Sequence, residues 1–258
     1  YHRYEYDDDN RITRVSTSRD GSVWENDAKY FYYRHGPLAR TELGQDKVQG
    51  IDYAYTLQGW IKGTNSNALD PNKDMGKDGG PTTINAVNNK NHWFGRDAGG
   101  FTLGYYMGDY APIDATAWTS TNRFEMQTPM ASDLMTNRSN LYNGNIAHMV
   151  TSLSMPYMAG PNYAQQAMPQ ASAYKYDQLN RISQALSFDN FDAALNTWKT
   201  GGSISNKYRN DFVYDANGYE QQYINATTNG DSGAIDTRLL ENGLYILWLT
   251  DGTTIYRG

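Results

Sequence analysis

The stretch "YEYDDDNRIT", Tyr4–Thr13, decides how this chain reads, because "YKYDQLNRIS", Tyr174–Ser183, states it a second time. Both run Tyr, any residue, Tyr, Asp, two free positions, Asn, Arg, Ile and a small hydroxyl residue. Alternate side chains of an extended segment share a face, so Tyr4 and Tyr6 project together, as do Tyr174 and Tyr176. Asp7 and Asp177 suit the first position of a turn, where a carboxylate accepts backbone N–H groups. Asn10 and Asn180 stand three residues on, at a left-handed position that most other side chains resist. Ile12 and Val15 then open a return strand. Each phrase spells one β-hairpin. A catalytic site needs its residues once, whereas a building unit recurs.

Looser copies extend the pattern. In "YAYTLQGWIK", Tyr53 and Tyr55 hold the paired positions, Gly59 replaces the Asn and Ile61 matches the Ile. In "FVYDANGYE", Phe212 and Tyr214 lead into Asp215, with Asn217 and Gly218 making the turn. "YFYYRHGPLAR" places Phe31 and Tyr33 before a Gly36-Pro37 turn, and "LYILWLTDGTTIYRG" sets Asp251-Gly252 between two apolar arms, a strong two-residue hairpin signal. Spacing between the units is irregular, so a strict solenoid or propeller is not indicated. Two polar insertions, residues 65–91 and 119–140, read as long loops or hairpin extensions. Phe188, Phe191, Leu195 and Trp198, at spacings of three, four and three before Gly201, predict one short helix.

Composition agrees. The chain has 258 residues, with 22 Tyr and with 24 Gly against 8 Pro. Tyrosine favours strands and tolerates half-exposure, while Gly, Asn and Asp between short aromatic segments supply tight turns. A net charge of −6 argues against nucleic acid, whose phosphates demand a basic surface. The absence of cysteine removes disulfides, thiol nucleophiles and Cys-based zinc sites together. No run of about 18 apolar residues offers a membrane span. Tyr1 is neither a Met nor the start of a signal peptide, and the chain is expected to be a segment of something longer.

These residues resemble the signature of RHS, or YD-repeat, proteins. "GPLARTELG" from Gly36, "VQGIDYAYTLQGWIKGTNS" from Val48, "DAGGFTLGYYMGDYAPI" from Asp97 and "LYNGNIAHM" from Leu141 resemble relatives in bacteria that export proteins by type IX secretion. Together the similar stretches cover roughly half the chain. The resemblance implies strand-turn-strand units joined edge to edge in a sheet that spirals into a hollow shell. In that family, shells enclose a toxic cargo or act within secreted and surface proteins. The chain departs from the full pattern in having no terminal RHS core segment, and Tyr219 stands where relatives usually carry Asn.

Catalytic lures are weaker than their structural readings. "NGDSGAID" places Ser232 in a protease-like Gly-Asp-Ser-Gly sequence, but such a serine needs a histidine base and a buried carboxylate. None of His2, His35, His92 and His148 lies in the small-residue motif that such a base occupies, although His148 precedes Ser232 in the right order. No two histidines are three to five apart, as zinc spacing requires. In "DPNKDMGKD", Asp70, Asn72, Asp74 and Asp78 outline a weak calcium candidate. Met75 and Pro81 occupy the places where an EF-hand needs Gly and Glu, so a polar surface turn is the expectation. Trp24, Trp60, Trp93, Trp118 and Trp248 allow an alternative, a surface adhesin or carbohydrate-binding module stacking sugars on exposed rings.

The expectation is thus an all-β chain of tandem YD-repeat hairpins, residues 1–258 without an internal domain boundary, forming part of a spiralling sheet or shell. Its function is that of a structural segment of a large exported bacterial protein, secreted or on the cell surface, that performs no chemistry and carries no cofactor. Its partners are the rest of its own shell, with enclosed cargo or export and surface-motility machinery beyond. Tyr4, Tyr6, Asp7, Asn10 and Arg11, with Tyr174, Tyr176, Asp177, Asn180 and Arg181, carry the repeat: tyrosines stacking on the next rung, Asp and Asn fixing the turn, Arg pairing with a carboxylate.

Overall fold

A computed structural model describes residues 1–84, 87–112, 140–155, 166–167, 169–188, 191–192, 197–198, 204–214, 220–224, 226–228, 231–233, 247–249 and 255–257. The described residues contain strands and no helix. The first six strands are β1 (His2–Tyr6), β2 (Ile12–Thr17), β3 (Glu25–Tyr32), β4 (Leu38–Leu43), β5 (Gln49–Tyr55) and β6 (Ile61–Thr64). A two-stranded ladder, β7 (Thr83–Ile84) with β8 (Val87–Asn88), follows. The chain then runs through β9 (Gly99–Gly104), β10 (His148–Met155), β11 (Gln166–Ala167), β12 (Gln170–Tyr176) and β13 (Ile182–Phe188). After the ladder of β14 (Phe191–Asp192) and β15 (Thr197–Trp198) come β16 (Ile204–Tyr214) and β17 (Glu220–Ile224). Two further ladders pair β18 (Ala226–Thr228) with β19 (Asp231–Gly233), and β20 (Leu247–Leu249) with β21 (Ile255–Arg257).

Thirteen strands form one antiparallel sheet in the order β1-β2-β3-β4-β5-β6-β9-β10-β12-β13-β16-β17, with β11 beside β10. Apart from the ladders and β11, which leaves β12 to pair with β10 directly, every strand lies next to its neighbour in sequence. Short connections favour this: five residues join β1 to β2, β3 to β4, β4 to β5, β5 to β6 and β12 to β13, enough to link antiparallel neighbours but not parallel strands, which need a crossover. Among the described residues the sheet is open, with β1 and β17 at its ends.

Small residues predominate in the core, among them Ala54, Ala147, Val150, Ala171 and Ala173, and Leu103, Leu186, Phe94 and Tyr105 are buried with them. On β5 the burial alternates strictly, so Gly50, Asp52 and Ala54 face the covered side while the intervening residues are half-exposed. On β10, His148, Val150 and Ser152 form the equivalent row.

The first polar insertion, read as a long loop or hairpin extension, provides the cover, which corrects the expectation of a polar surface turn at Asp70–Asp78. Ser66 and Asn67 are fully buried, and Lys73, Asp74 and Asp78 nearly so. Hydrogen bonds seat the insertion on the sheet: Asn65 Oδ1 accepts from the Asp52 amide at 2.9 Å, Asn65 Nδ2 donates to the Gly99 carbonyl at 2.9 Å, and Asn67 Nδ2 donates to Thr102 Oγ1 at 2.9 Å. Asn65 and Asn67 are buried with sheet partners, the condition under which burial of polar groups is tolerated, whereas Ser66 Oγ, Asn67 Oδ1 and Asp74 Oδ1 meet no hydrogen-bond partner. The second insertion lies outside the described residues but for Asn140.

The expected helix is also corrected. β13 stays extended through Phe188, and Phe191 pairs with Trp198 across the β14–β15 ladder. Leu195 and Gly201 lie outside the described residues. Short apolar runs do not separate helix from hairpin by spacing alone, and the pairing of β13 with both β12 and β16 decides for the strand.

Candidate functional site: a repeated turn lock and a buried acid cluster

The two signature turns are built alike. Asp7 Oδ1 accepts the amides of Asp9 and Arg11 at 3.1 and 2.9 Å, and Asp7 Oδ2 accepts from Arg11 Nε at 2.8 Å. Asp177 Oδ1 accepts the amides of Leu179 and Arg181 at 2.8 and 2.9 Å, and its Oδ2 accepts from Arg181 Nε at 2.6 Å. The backbone closes identically, with the Asn10 amide donating to the Asp7 carbonyl and the Asn180 amide to the Asp177 carbonyl. Asn10 and Asn180 have φ of 61° and 62°, the left-handed conformation that the sequence demands. Arg11 holds the Asp7 carboxyl below its ordinary pKa, and the amide and guanidinium of Arg181 do the same for Asp177.

Variant turns keep the frame with other residues. Thr56 replaces Asp, its Oγ1 accepting from the Trp60 amide at 3.1 Å, and Gly59 at φ 84° replaces Asn. In the second hairpin Tyr33 takes the Asp position and Gly36 the Asn position. The tyrosine equivalent to Tyr6 there is Tyr32, so the pairing of Phe31 with Tyr33 read from the sequence is one residue out of frame. A bulge falls at the same point of four hairpins, between Glu5 and Tyr6, Phe31 and Tyr32, Ala54 and Tyr55, and Lys175 and Tyr176.

Rungs are coupled by a latch that the sequence reading missed. The tyrosine just before a turn donates its hydroxyl to the carbonyl of the isoleucine just after the preceding turn. Tyr32 reaches Ile12 at 2.8 Å, Tyr105 reaches Ile61 at 2.8 Å, Tyr176 reaches Ile146 at 2.9 Å and Tyr214 reaches Ile182 at 2.8 Å. The arginine of the earlier turn lies over the same ring, Arg11 at 4.6 Å from the Tyr32 centroid and Arg181 at 4.2 Å from that of Tyr214. Such contacts are worth about 0.5–1 kcal/mol at exposed sites. The tyrosines thus lean on the preceding rung, not the next. Tyr4 and Tyr6, on the end strand, are about half-exposed. Tyr53 and Tyr55 are half-buried, Tyr53 lending its carbonyl to the Tyr33 hydroxyl at 2.6 Å and Tyr55 meeting the Tyr33 ring nearly at right angles. Tyr174 is half-buried and pairs with Ala185. Asp215, Asn217 and Gly218 lie outside the described residues, as does the Asp251-Gly252 turn, although the strands flanking both are paired.

Replacing Asn10 with Val is expected to cost about 1–2 kcal/mol, because a β-branched residue resists the left-handed backbone. Denaturant unfolding measures this, and an unchanged midpoint contradicts the turn geometry. Asn10 gives the cleaner test, since Asn180 Oδ1 also accepts from Asn143 and Asn145.

Beneath the insertion lies a second constellation. Arg40 on β4 donates from Nη1 to Asp52 Oδ2, from Nη2 to Asp78 Oδ1 at 2.8 Å and from Nε to Glu42 at 3.2 Å. Asp78 Oδ2 accepts from Nη2 at 3.1 Å. Gly50 and Gly76 close around the group, and a Cβ on either would overlap Arg40 and one of its aspartates. Asp74 Oδ2 accepts the Asp78 amide at 3.3 Å, and Gln49 Nε2 donates to Asp97 Oδ1 at 3.1 Å. Burial, then the charge of Asp74, pushes the Asp52 and Asp97 carboxyls up; burial also raises Asp74 and takes Asp78 to about 6. Burial opposes the Arg40 charge, but Asp52 and Asp78 hold its pKa above the ordinary value.

Of the weak calcium candidate, the structure brings Asp74 and Asp78 together with Asp52. Asp70 and Asn72 stay in a local turn, Asp70 Oδ1 accepting the Asn72 amide at 3.0 Å and Oδ2 pairing with Lys73 at 3.4 Å. A separate buried pair, Lys62 and Asp109 at 2.8 Å, ties β6 to the segment after β9, where Asp109 Oδ2 accepts the Tyr105 amide. Ser232 pairs with Thr227 in the β18–β19 ladder, and His148 lies on β10 between Gly104 and Ala173. Of the tryptophans, Trp24 lies under Arg3 and Trp60 packs on Tyr105, whereas Trp93 is 71 % exposed.

No protein-family model matches the chain, and no curated protein matches it. Among solved structures it is similar to the crystal structure of TcdB2-TccC3 without its hypervariable C-terminal region, at 12 % identity and a TM-score of 0.29. The match covers 90 % of this chain and 11 % of that one, so the chain spans about a ninth of its length.

Proposed function

We propose that residues 1–258 build wall within a large exported bacterial protein of the RHS kind, enclosing cargo or displaying a surface outside the cell. The observation that carries this reading is the latch between rungs. The same tyrosine-to-isoleucine bond recurs in four places, and Ile12, Ile61, Tyr176, Ile182 and Tyr214 among its residues stand at positions of the sequence signature. A side chain repeated to join neighbouring hairpins serves continuity of a sheet, and the conspicuous residues of the chain are spent on it. Catalysis is not part of this role.

An extended sheet whose end strands carry unpaired N–H and C=O groups pairs with other chains. Residues 1–258 produced alone are therefore expected to associate, giving a concentration-dependent mass in light scattering. A stable monomer at all concentrations refutes the wall reading. Location is tested by protease treatment of intact producing cells: peptides of this chain in the released fraction support display, and their recovery solely from a soluble lysate fraction refutes export.

A further inference from the structure

Four buried aspartates converge from three parts of the chain: Asp52 from β5, Asp74 and Asp78 from the insertion, Asp97 from the approach to β9. Carboxylate oxygens of Asp52, Asp74 and Asp78 lie within 4.8 Å of one another. That is the span across an ion whose oxygen ligands sit at about 2.4 Å. Asp97 adjoins Asp74 as a fourth carboxylate. Asp74 is 2 % exposed, and its Oδ1 meets no hydrogen-bond donor. A carboxylate oxygen this deep is costly without a donor or a cation. Arg40 engages Asp52 and Asp78 but not Asp74, and a carboxylate has about four lone-pair sites, so both partners of Arg40 keep acceptor capacity.

We propose that Asp52, Asp74 and Asp78, with Asp97 alongside, bind one calcium ion that fastens the insertion to the sheet. Oxygen-only donors select a hard cation. Magnesium holds several waters in a strict octahedron, whereas calcium accepts an irregular set of protein oxygens. With exposures of 8 % at Asp52, 2 % at Asp74, 1 % at Asp78 and 3 % at Asp97, the cluster has little solvent to supply those waters. The competing account is a proton shared between Asp74 and Asp97, which makes opposite predictions.

The test uses the full chain, depleted of metal with a chelator and titrated at pH 7.5 with calcium chloride or magnesium chloride. Calorimetry is expected to show one calcium per chain, and melting to shift upward by several degrees with calcium and by less with magnesium. Terbium luminescence, sensitised by nearby aromatic rings and displaced by calcium, is expected to report the same site. Asp74→Asn should weaken calcium binding at least about tenfold, while Asp70→Asn, in the exposed turn, should leave it intact. Asp97→Asn separates the two accounts: a weaker calcium response supports the ion, whereas unchanged stability with no calcium response in either protein supports the shared proton and overturns the proposal. Absence of both a calorimetric and a melting response in the unmodified chain also overturns it, however the variants fold.

Discussion

Replacing Arg40 with leucine is expected to destabilise the chain by about 3–5 kcal/mol, the cost of leaving buried carboxylates without their partner. Arg40 holds Asp52, Asp78 and Glu42 with one guanidinium, and its own side chain is 10 % exposed. Leucine fills comparable volume but strands two buried acids. Those acids must then ionise unpaired or take up protons, and either choice draws on the stability of the sheet. Urea unfolding in chelator measures the loss without help from metal. The triple variant Arg40→Leu, Asp52→Asn, Asp78→Asn should recover much of it, because the stranded charges go with their partner. A loss below about 1 kcal/mol in the single variant would mean that the guanidinium contributes no more than a surface pair.

Gly63→Val is expected to cost about 3 kcal/mol, the upper end for overpacking a well-filled interior. Strands β6 and β9 meet through two residue pairs, Gly63 with Thr102 and Thr64 with Phe101, yet this seam joins the first six strands to the rest. A Cβ on Gly63 would overlap the Phe101 carbonyl, and backbone cannot swing aside as a long side chain can. Valine should therefore open the seam locally. Hydrogen exchange is the sensitive measurement: amides of β6 and β9 should lose protection while those of the β1–β2 hairpin keep theirs. Uniform protection across both strands would show that the seam tolerates the added bulk.

Much of the hairpin architecture was legible because it is written locally. Asp7 reaches amides two and four residues on, and Asn10 needs only its own backbone angle, so "YDDDNR" contains the whole turn. The latch was less legible, since Tyr32 and Ile12 are 20 residues apart and neither is unusual alone. The signal available was the recurrence of a tyrosine before a turn with an isoleucine after an earlier one, broken at Leu38 and Tyr55. The acid cluster was harder still. Arg40, Asp52 and Asp78 are separated by 12 and 38 residues, and the insertion that delivers Asp78 has the composition of a solvated loop. One hint was present in "QGIDYA": on a strand, Gly50, Asp52 and Ala54 share a face, and a charged residue between two small ones marks a place where something polar must approach. The helix expected around Phe191 failed for the opposite reason, its spacing being real but common to both kinds of element.

The latches all point one way. Each of the four latch hydroxyls reaches back to a carbonyl supplied by a hairpin nearer the N-terminus, whereas the Tyr33 hydroxyl reaches forward to Tyr53, so a latched hairpin offers its acceptor before the donor that will fill it has been synthesised. At each of these four latches, a polypeptide leaving a ribosome or a narrow export channel N-terminus first has a finished docking place waiting for the unit that carries the tyrosine. Emergence from the other end would present tyrosines with nothing to grasp. Growth of the sheet has a built-in direction, and it is the direction in which the chain is made.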